Sequence, residues 1–201
     1  ENVVRMGIPE ENSIGVSTAD IRKLAKEIGR SNELAFELWK TGYHEARLLA
    51  VLLFEKKQVS HDDIEYLMGD VISWDLCDHL CKNLIIKMKD YDCFIKSRSS
   101  ETYKLRAAFT LIASSAIHDD KLDEEAIDEY LMLIRECSNH PHEHVKKAVS
   151  WALREIGKID YCNNEKALIL AKELKENGNK TQLWIAKDAL KEIENLVKVE
   201  G

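Results

Sequence analysis

The sequence has little of what makes tight turns: 8 glycines and 2 prolines in 201 residues. A β-sandwich or barrel needs turn signals roughly every 8–12 residues, so that class is excluded. No apolar run reaches the roughly 18 residues of a membrane-spanning helix, and nothing resembles a secretory leader. The chain is therefore expected neither to cross a membrane nor to be secreted, and its expected compartment is the cytoplasm. Five cysteines, an odd number without framework spacing, read as reduced thiols. A G-x-G-x-x-G, a P-loop and a G-x-S-x-G are all missing, which removes the main support for a nucleotide cofactor or a serine hydrolase. No cofactor is expected.

Basic residues are also the minority, 29 Lys and Arg against 36 Asp and Glu, for a formal net charge of −7. Taken globally, that opposes a nucleic-acid binder, but only a basic patch is strictly required. Seven acids fall between Asp119 and Glu129, so much of the negative charge is local and can lie on a face turned from any ligand.

Leu, Ala, Glu, Lys and Ile dominate what remains, and apolar residues recur at helical spacing almost throughout. Polar breaks divide the chain into eleven predicted helices: 18–29, 32–41, 43–57, 61–71, 73–88, 90–99, 101–118, 123–139, 142–159, 163–176 and 180–199. The length suits a single domain over 1–201, able to bury roughly 70% of its unfolded surface. The chain starts at Glu1 without a Met, so further residues, including a leading helix, are expected upstream. Setting Arg47, Asp78, Arg106, Lys147 and Trp184 in register gives steps of 31, 28, 41 and 37 residues. That irregular period predicts an all-α, curved, right-handed solenoid of HEAT-like hairpins whose inner helices line a concave side.

At about 100° per residue, Val145, Val149, Ala152, Leu153 and Ile156 form one face of the helix from 142, and Lys147, Trp151, Arg154 and Lys158 lie opposite. The last helix repeats this: Leu183, Ala186, Ala189, Leu190 and Ile193 oppose Lys180, Trp184, Lys187 and Lys191. Each Trp can pack on a neighbouring repeat under Lys stems. Alternatively, aromatics interleaved with cations suit a nucleic-acid backbone or a cationic base. In "SWDLCDHLCKNLIIKM", Ser73 reads as a helix cap and Asp75 as a first-turn acid favoured by the helix dipole. Asp78 shares the border of Trp74, about 40° round the helix from it. Arg106 holds the matching border of its own helix, where it can serve a structural ion pair or face a ligand.

His140, His142 and His144 invite a metal site, as do Cys77 and Cys81. The histidines straddle Pro141 at a helix entry, the cysteines fall in an apolar stripe, and no second ligand pair appears at zinc spacing. No metal is expected.

In order along the chain, "IGVSTADIRKLAKEIG", "LAFELWKTGYHEARLLA", "SWDLCDHLCKNL", "HVKKAVSWALREIGK" and "WIAKDALKEI" carry a resemblance over nearly its whole length. The sequence resembles the HEAT-like DNA alkylation repair glycosylases of the AlkD type. That family uses a Trp and an Asp four residues apart, an Arg on the next inner helix and a further Trp. Trp74, Asp78, Arg106 in "KLRAAF" and Trp151 in "KKAVSWALRE" match those positions.

The resemblance implies a DNA glycosylase that hydrolyses the N-glycosidic bond of cationic N3- or N7-alkylated purines in duplex DNA, acting as a monomer. Asp78 would stabilise the oxocarbenium-like transition state or position the attacking water. Trp74 and Trp151 would present π faces to the cationic nucleotide, and Arg106 would hold a phosphate. Arg47, Lys147, Arg154, Lys158, Trp184, Lys187 and Lys191 would contact DNA without reading sequence. Two alternatives stand beside this one: a non-catalytic helical-repeat protein that binds DNA structures or lesions, and a scaffold that binds another protein.

Overall fold

The computed structural model describes residues 12–97 and 99–196. Among the described residues it is all helical, with eleven α-helices and no strand. They are α1 (Thr18–Ile28), α2 (Asn32–Lys40), α3 (His44–Leu53), α4 (His61–Gly69), α5 (Trp74–Asn83), α6 (Asp92–Lys96), α7 (Thr102–His118), α8 (Glu124–Cys137), α9 (Glu143–Gly157), α10 (Tyr161–Asn177) and α11 (Lys180–Ile193). Two 3-10 turns, Lys56–Gln58 and Ile85–Lys87, come after α3 and α5. The expected leading helix concerns residues that lie outside this description.

Most helices begin where a short polar side chain can take an orphan backbone N–H. Ser17, Ser31, Ser73, Asp123 and Asp160 accept from Asp20, Leu34, Leu76, Ala126 and Asn163 respectively. Ser60 with Asp63, and Asn179 with Gln182, close reciprocal capping boxes. Each such cap stabilises its helix by about 1 kcal/mol.

Several helices end earlier than apolar periodicity predicts, α6 at Lys96 and α11 at Ile193 among them, and for two the cause is visible. α3 stops at Leu53, not 57, because the residues leading into α2 bond to its last carbonyls and to Phe54 and Glu55 beyond them. The Ser31 N–H donates to the Leu53 carbonyl at 2.9 Å, and Arg30 Nη1 donates to the carbonyls of Leu52 and Phe54 at 2.8 and 3.0 Å. The Glu55 N–H then turns to Asn32 Oδ1 at 2.6 Å. α5 stops at Asn83, whose side-chain amide donates to the His79 carbonyl at 2.9 Å, just before the 3-10 turn. An amide that bonds locally in this way competes with the next helical turn.

The chain falls into two compact units, one up to Cys93 and one from Phe94. In the first, α1 packs on α3 and α3 on α5, while α2 pairs with α3 as a hairpin. In the second, α7 packs on α9 and α9 on α11, with α10 against both α9 and α11. Contact between each helix and the next but one is the packing of stacked hairpins, whose apolar faces are buried only by their neighbours.

Trp39 is fully buried in the first unit, and its indole Nε1–H donates to Asp70 Oδ2 at 2.8 Å. In the second unit α9, α10 and α11 close on one point. The buried Asn164 amide donates to the carbonyls of Gly157 and Ile193, at 2.9 and 3.0 Å, serving the ends of two helices at once. Gly157 is required there, since a Cβ would stand 2.8 Å from Ile193 Cγ2.

Candidate functional site

Helices α3, α5, α7, α9 and α11 carry the predicted site residues, with Lys158 at the C-cap of α9. In the first unit, α5 starts under the Ser73 cap and presents Trp74 and, one turn on, Asp78. Trp74 is half-buried and Asp78 is 9% exposed. The helix face beneath them is pinned to α3 by two further contacts. Asp75 Oδ2 lies 3.0 Å from His44 Nε2, so this first-turn acid also takes a partner from the preceding stacked helix. His79 donates from Nε2 to the Leu48 carbonyl at 2.8 Å and accepts at Nδ1 from the Asn83 amide at 3.2 Å. Burial holds the His79 imidazole below its usual pKa, more strongly than its bond to Leu48 raises it. A neutral imidazole is what this donor-and-acceptor arrangement requires.

Arg47 is engaged in the scaffold. Its guanidinium carbon lies 5.1 Å from the Trp39 ring centroid, Nε donates to the Trp39 carbonyl at 3.1 Å, and Nη2 is 3.9 Å from Asp70 Oδ2. These contacts join α2, α3 and the end of α4 around one buried indole.

In the second unit Arg106 is buried on α7, and its Nη1 donates to the His144 carbonyl at 2.5 Å. That bond fixes the first turn of α9, the helix that carries Trp151. Beside it, Tyr103 stacks on His144 with ring centroids 6.4 Å apart and meets His142 edge-on at 6.5 Å. Burial first, and the Arg106 charge second, lower the pKa of His144. The three histidines are used in shaping the turn into α9: Nδ1 of His140 accepts from the His142 N–H, and Nδ1 of His142 accepts from the His144 N–H.

Trp151 is half-buried on the polar face of α9, opposite buried Val145, Val149, Ala152, Leu153 and Ile156, as the helical wheel predicts. The cations around it are not bare. Arg154 Nη1 donates to Glu192 Oε1 at 2.7 Å, and Lys158 Nζ lies 2.6 Å from Glu192 Oε2 and 3.1 Å from Glu155 Oε1. Lys147 Nζ is 3.4 Å from Glu143 Oε1. Ser150 Oγ donates to Asp188 Oδ2 at 2.6 Å, extending the ladder between α9 and α11. Hydrogen bonds from Lys158 and then Arg154 hold the Glu192 carboxyl below its usual pKa despite partial burial. Trp184 is covered by Lys146, whose Nζ sits 4.3 Å from the ring centroid. Lys187 and Lys191 are exposed, and no ion pair joins either to another described residue.

Exposed ion pairs of this kind are worth roughly 0.2–1 kcal/mol each. A phosphate brought against the same cations releases condensed counterions and can displace the carboxylates at modest cost. Most cations of this face are therefore paired with a carboxylate when it is empty, whereas Lys187 and Lys191 are not.

The family model described as DNA alkylation repair enzyme matches residues 1–193. The chain belongs to the DNA alkylation repair enzyme family. A solved structure matches 98% of this family member and 89% of its own chain, with a TM-score of 0.78 at 20% sequence identity. It is described as a new family of proteins related to the HEAT-like repeat DNA glycosylases with affinity for branched DNA structures. No curated protein matches the sequence. The likeness shows the fold, an all-helical HEAT-like repeat architecture, over nearly the whole of this alkylation repair family chain. None of its helices among the described residues is long and apolar enough to cross a membrane.

Proposed function

We propose that this chain is a DNA glycosylase that hydrolyses the N-glycosidic bond of cationic N3- or N7-alkylated purines in duplex DNA. The observation that carries the reading is Asp78: a carboxylate held at 9% exposure, one helical turn from the half-buried Trp74, in a member of the DNA alkylation repair enzyme family.

An alkylated purine already bears the positive charge that makes it a good leaving group, so no strong acid is needed to protonate it. As the bond from the sugar to the base nitrogen breaks, its electron pair leaves with the base and positive charge develops on the sugar. Asp78 stabilises that charge and positions a water, which adds to the sugar carbon and loses a proton. Little water surrounds a group so buried, which strengthens its field on the sugar. The tryptophan face at Trp74 stacks on the cationic nucleotide and excludes solvent.

Trp151 offers a second aromatic surface, and Arg106, anchored by the His144 carbonyl, is the phosphate contact. Lys187 and Lys191 meet the backbone first, and Lys147, Arg154 and Lys158 join as their carboxylates are displaced. Trp184 and Arg47, already engaged with Lys146 and with Trp39, support the helices that carry these groups. The reaction consumes only water, and its compartment is the cytoplasm, where five reduced thiols persist.

Release of 7-methylguanine from methylated duplex by the wild type and by Asp78→Asn tests this. Release that falls at least about a hundredfold in the variant, the size of other electrostatic contributions, supports the role. No release by the wild type, or an unaffected variant, overturns it.

A second reading is favoured by the likeness to a protein with affinity for branched DNA and by the carboxylates that pair Lys147, Arg154 and Lys158 on the α9–α11 face. There the chain binds DNA structures or lesions without cutting: base release is absent, while titration against duplex shows salt-sensitive binding.

A further inference from the structure

Within the first unit, beside the C-terminal ends of α1, α3 and α5, opens a cleft of about 460 Å³. Its wall carries Arg22, Lys26, Arg30 and Lys87. Arg22 and Lys26, four apart, share one face of α1, and Arg30 joins the cleft from just past its end. Small residues on the same face, Ala25 and Gly29, leave the space open. Gly29 ends α1 at φ +78°, and a Cβ placed there would meet nothing within 4 Å.

No carboxylate lines this cleft, and no ion pair joins its four cations to another described residue. In a chain with 36 acids and 29 bases that is the reverse of what composition favours. The crowding has a measurable sign. Lys87 is held below its usual pKa by burial first and then by the charges of Arg30, Lys56 and Arg22.

Helix dipoles explain part of the cluster. Lys26 lies in the last turn of α1, and Arg30 caps the carbonyls of Leu52 and Phe54. They do not explain Arg22, in the middle of α1, or Lys87, beyond the end of α5. Four cations converging on an open cavity without an anion mark a place for one.

We propose that this cleft binds the phosphate groups of a nucleic-acid strand. The assignment rests on the chain's being a DNA-binding protein, as its proposed function requires. A strand fits better than a single free phosphate because Arg22 and Lys26 stand about 6 Å apart along the helix axis, at about 1.5 Å per residue, and Arg30 and Lys87 extend the cationic wall beyond them. The cleft lies at the far end of α5 from Trp74, nine residues or about 14 Å away. That is about four base-pair rises of 3.4 Å, within reach of the DNA that Trp74 would face.

The test is the triple variant Arg22→Gln, Lys26→Gln, Lys87→Gln, with Arg30 kept because it caps α3. Circular dichroism and thermal unfolding confirm that it folds. Duplex binding is then measured by fluorescence anisotropy across a salt series, with inorganic pyrophosphate titrated separately. The expected result is a slope of log K against log [salt] shallower by about 2–3, from three lost phosphate contacts at about 0.9 each, with binding at moderate salt at least about tenfold weaker. An unchanged slope, with the wild type binding duplex, overturns the cleft assignment alone. Loss of pyrophosphate binding with an unchanged DNA slope also overturns it, in favour of a free-anion site. A wild type that binds no duplex overturns the DNA-binding reading itself.

Discussion

Arg154 on α9 donates from Nη1 to Glu192 Oε1 on α11 at 2.7 Å, and Glu192 also holds Lys158 through its other oxygen. One carboxylate thus occupies two of the cations that flank Trp151. The consequence is a prediction for Glu192→Gln. Freed from their acid, Arg154 and Lys158 become available to phosphates, so DNA binding tightens and the salt slope steepens by about 1–2. Stability changes by under about 1 kcal/mol, because the pairs are partly exposed. Anisotropy titrations across a salt series read the effect, and an unaltered slope means these two cations never meet a phosphate.

This relationship also marks where sequence legibility stops. The eleven helices were visible because the core is periodic: buried Val145, Val149, Ala152, Leu153 and Ile156 repeat at helical spacing. Ser73 was legible as a cap because capping acts over three residues. Arg154 and Glu192 are 38 residues apart, and nothing local couples them. For the same reason Lys146 over Trp184 could not be foreseen. The early end of α3 depends on the loop before α2, so its own periodicity overran it. The basic cleft escapes the sequence for the same reason: Arg22 and Lys26 are neighbours on α1, but Arg30 past its end and Lys87 join them only through tertiary packing.

Replacing Asp70 separates hydrogen bonding from charge. The Trp39 indole is fully buried, and Asp70 Oδ2 accepts its Nε1–H at 2.8 Å. Asp70→Ala strands that donor and lowers stability by about 1–3 kcal/mol. Asp70→Asn keeps an acceptor and recovers most of the loss, since the Arg47 pair at 3.9 Å is long and partly exposed. Urea unfolding of both variants reads the difference, and equal losses would assign the stabilisation to charge.

Acidification removes stability in two steps: His79, with His140 and His144, contributes to the upper one, and Glu45, with Glu143 and Glu192, to the lower. His79 has a lowered pKa, so the folded state prefers the neutral ring. Its contribution is full above the unfolded value of about 6.5 and is lost as pH falls toward the folded value. Burial raises the Glu45 pKa, but bonds from Ser13 Oγ and the backbone N–H groups of Ile14 and Gly15 outweigh it and leave the value lowered. Its contribution is present above about 4.3 and is lost below that. His79→Gln is expected to flatten the upper step and Glu45→Gln the lower one, with stability measured by denaturant titration at a series of pH values. A Glu45→Gln curve that keeps the lower step in full places it elsewhere.

Gly157→Ala sets two opposing terms against each other at the junction of α9, α10 and α11. Alanine gains up to about 1 kcal/mol of backbone entropy in a helix. Its Cβ would lie 2.8 Å from Ile193 Cγ2 and 3.3 Å from both Ile193 Cβ and Ala167 Cβ, a branch point and a short side chain that cannot swing aside. Overpacking of that kind costs about 1–3 kcal/mol, so the substitution destabilises on balance. Ile193→Ala alone costs about 2–5 kcal/mol through the cavity it opens. With both changes the new methyl enters space that the isoleucine has vacated, and the double variant should be at least about 1 kcal/mol more stable than the sum of the singles. Strict additivity in the double-mutant cycle would mean that the helices separate instead, and that the close approach at Gly157 is not what sets their spacing.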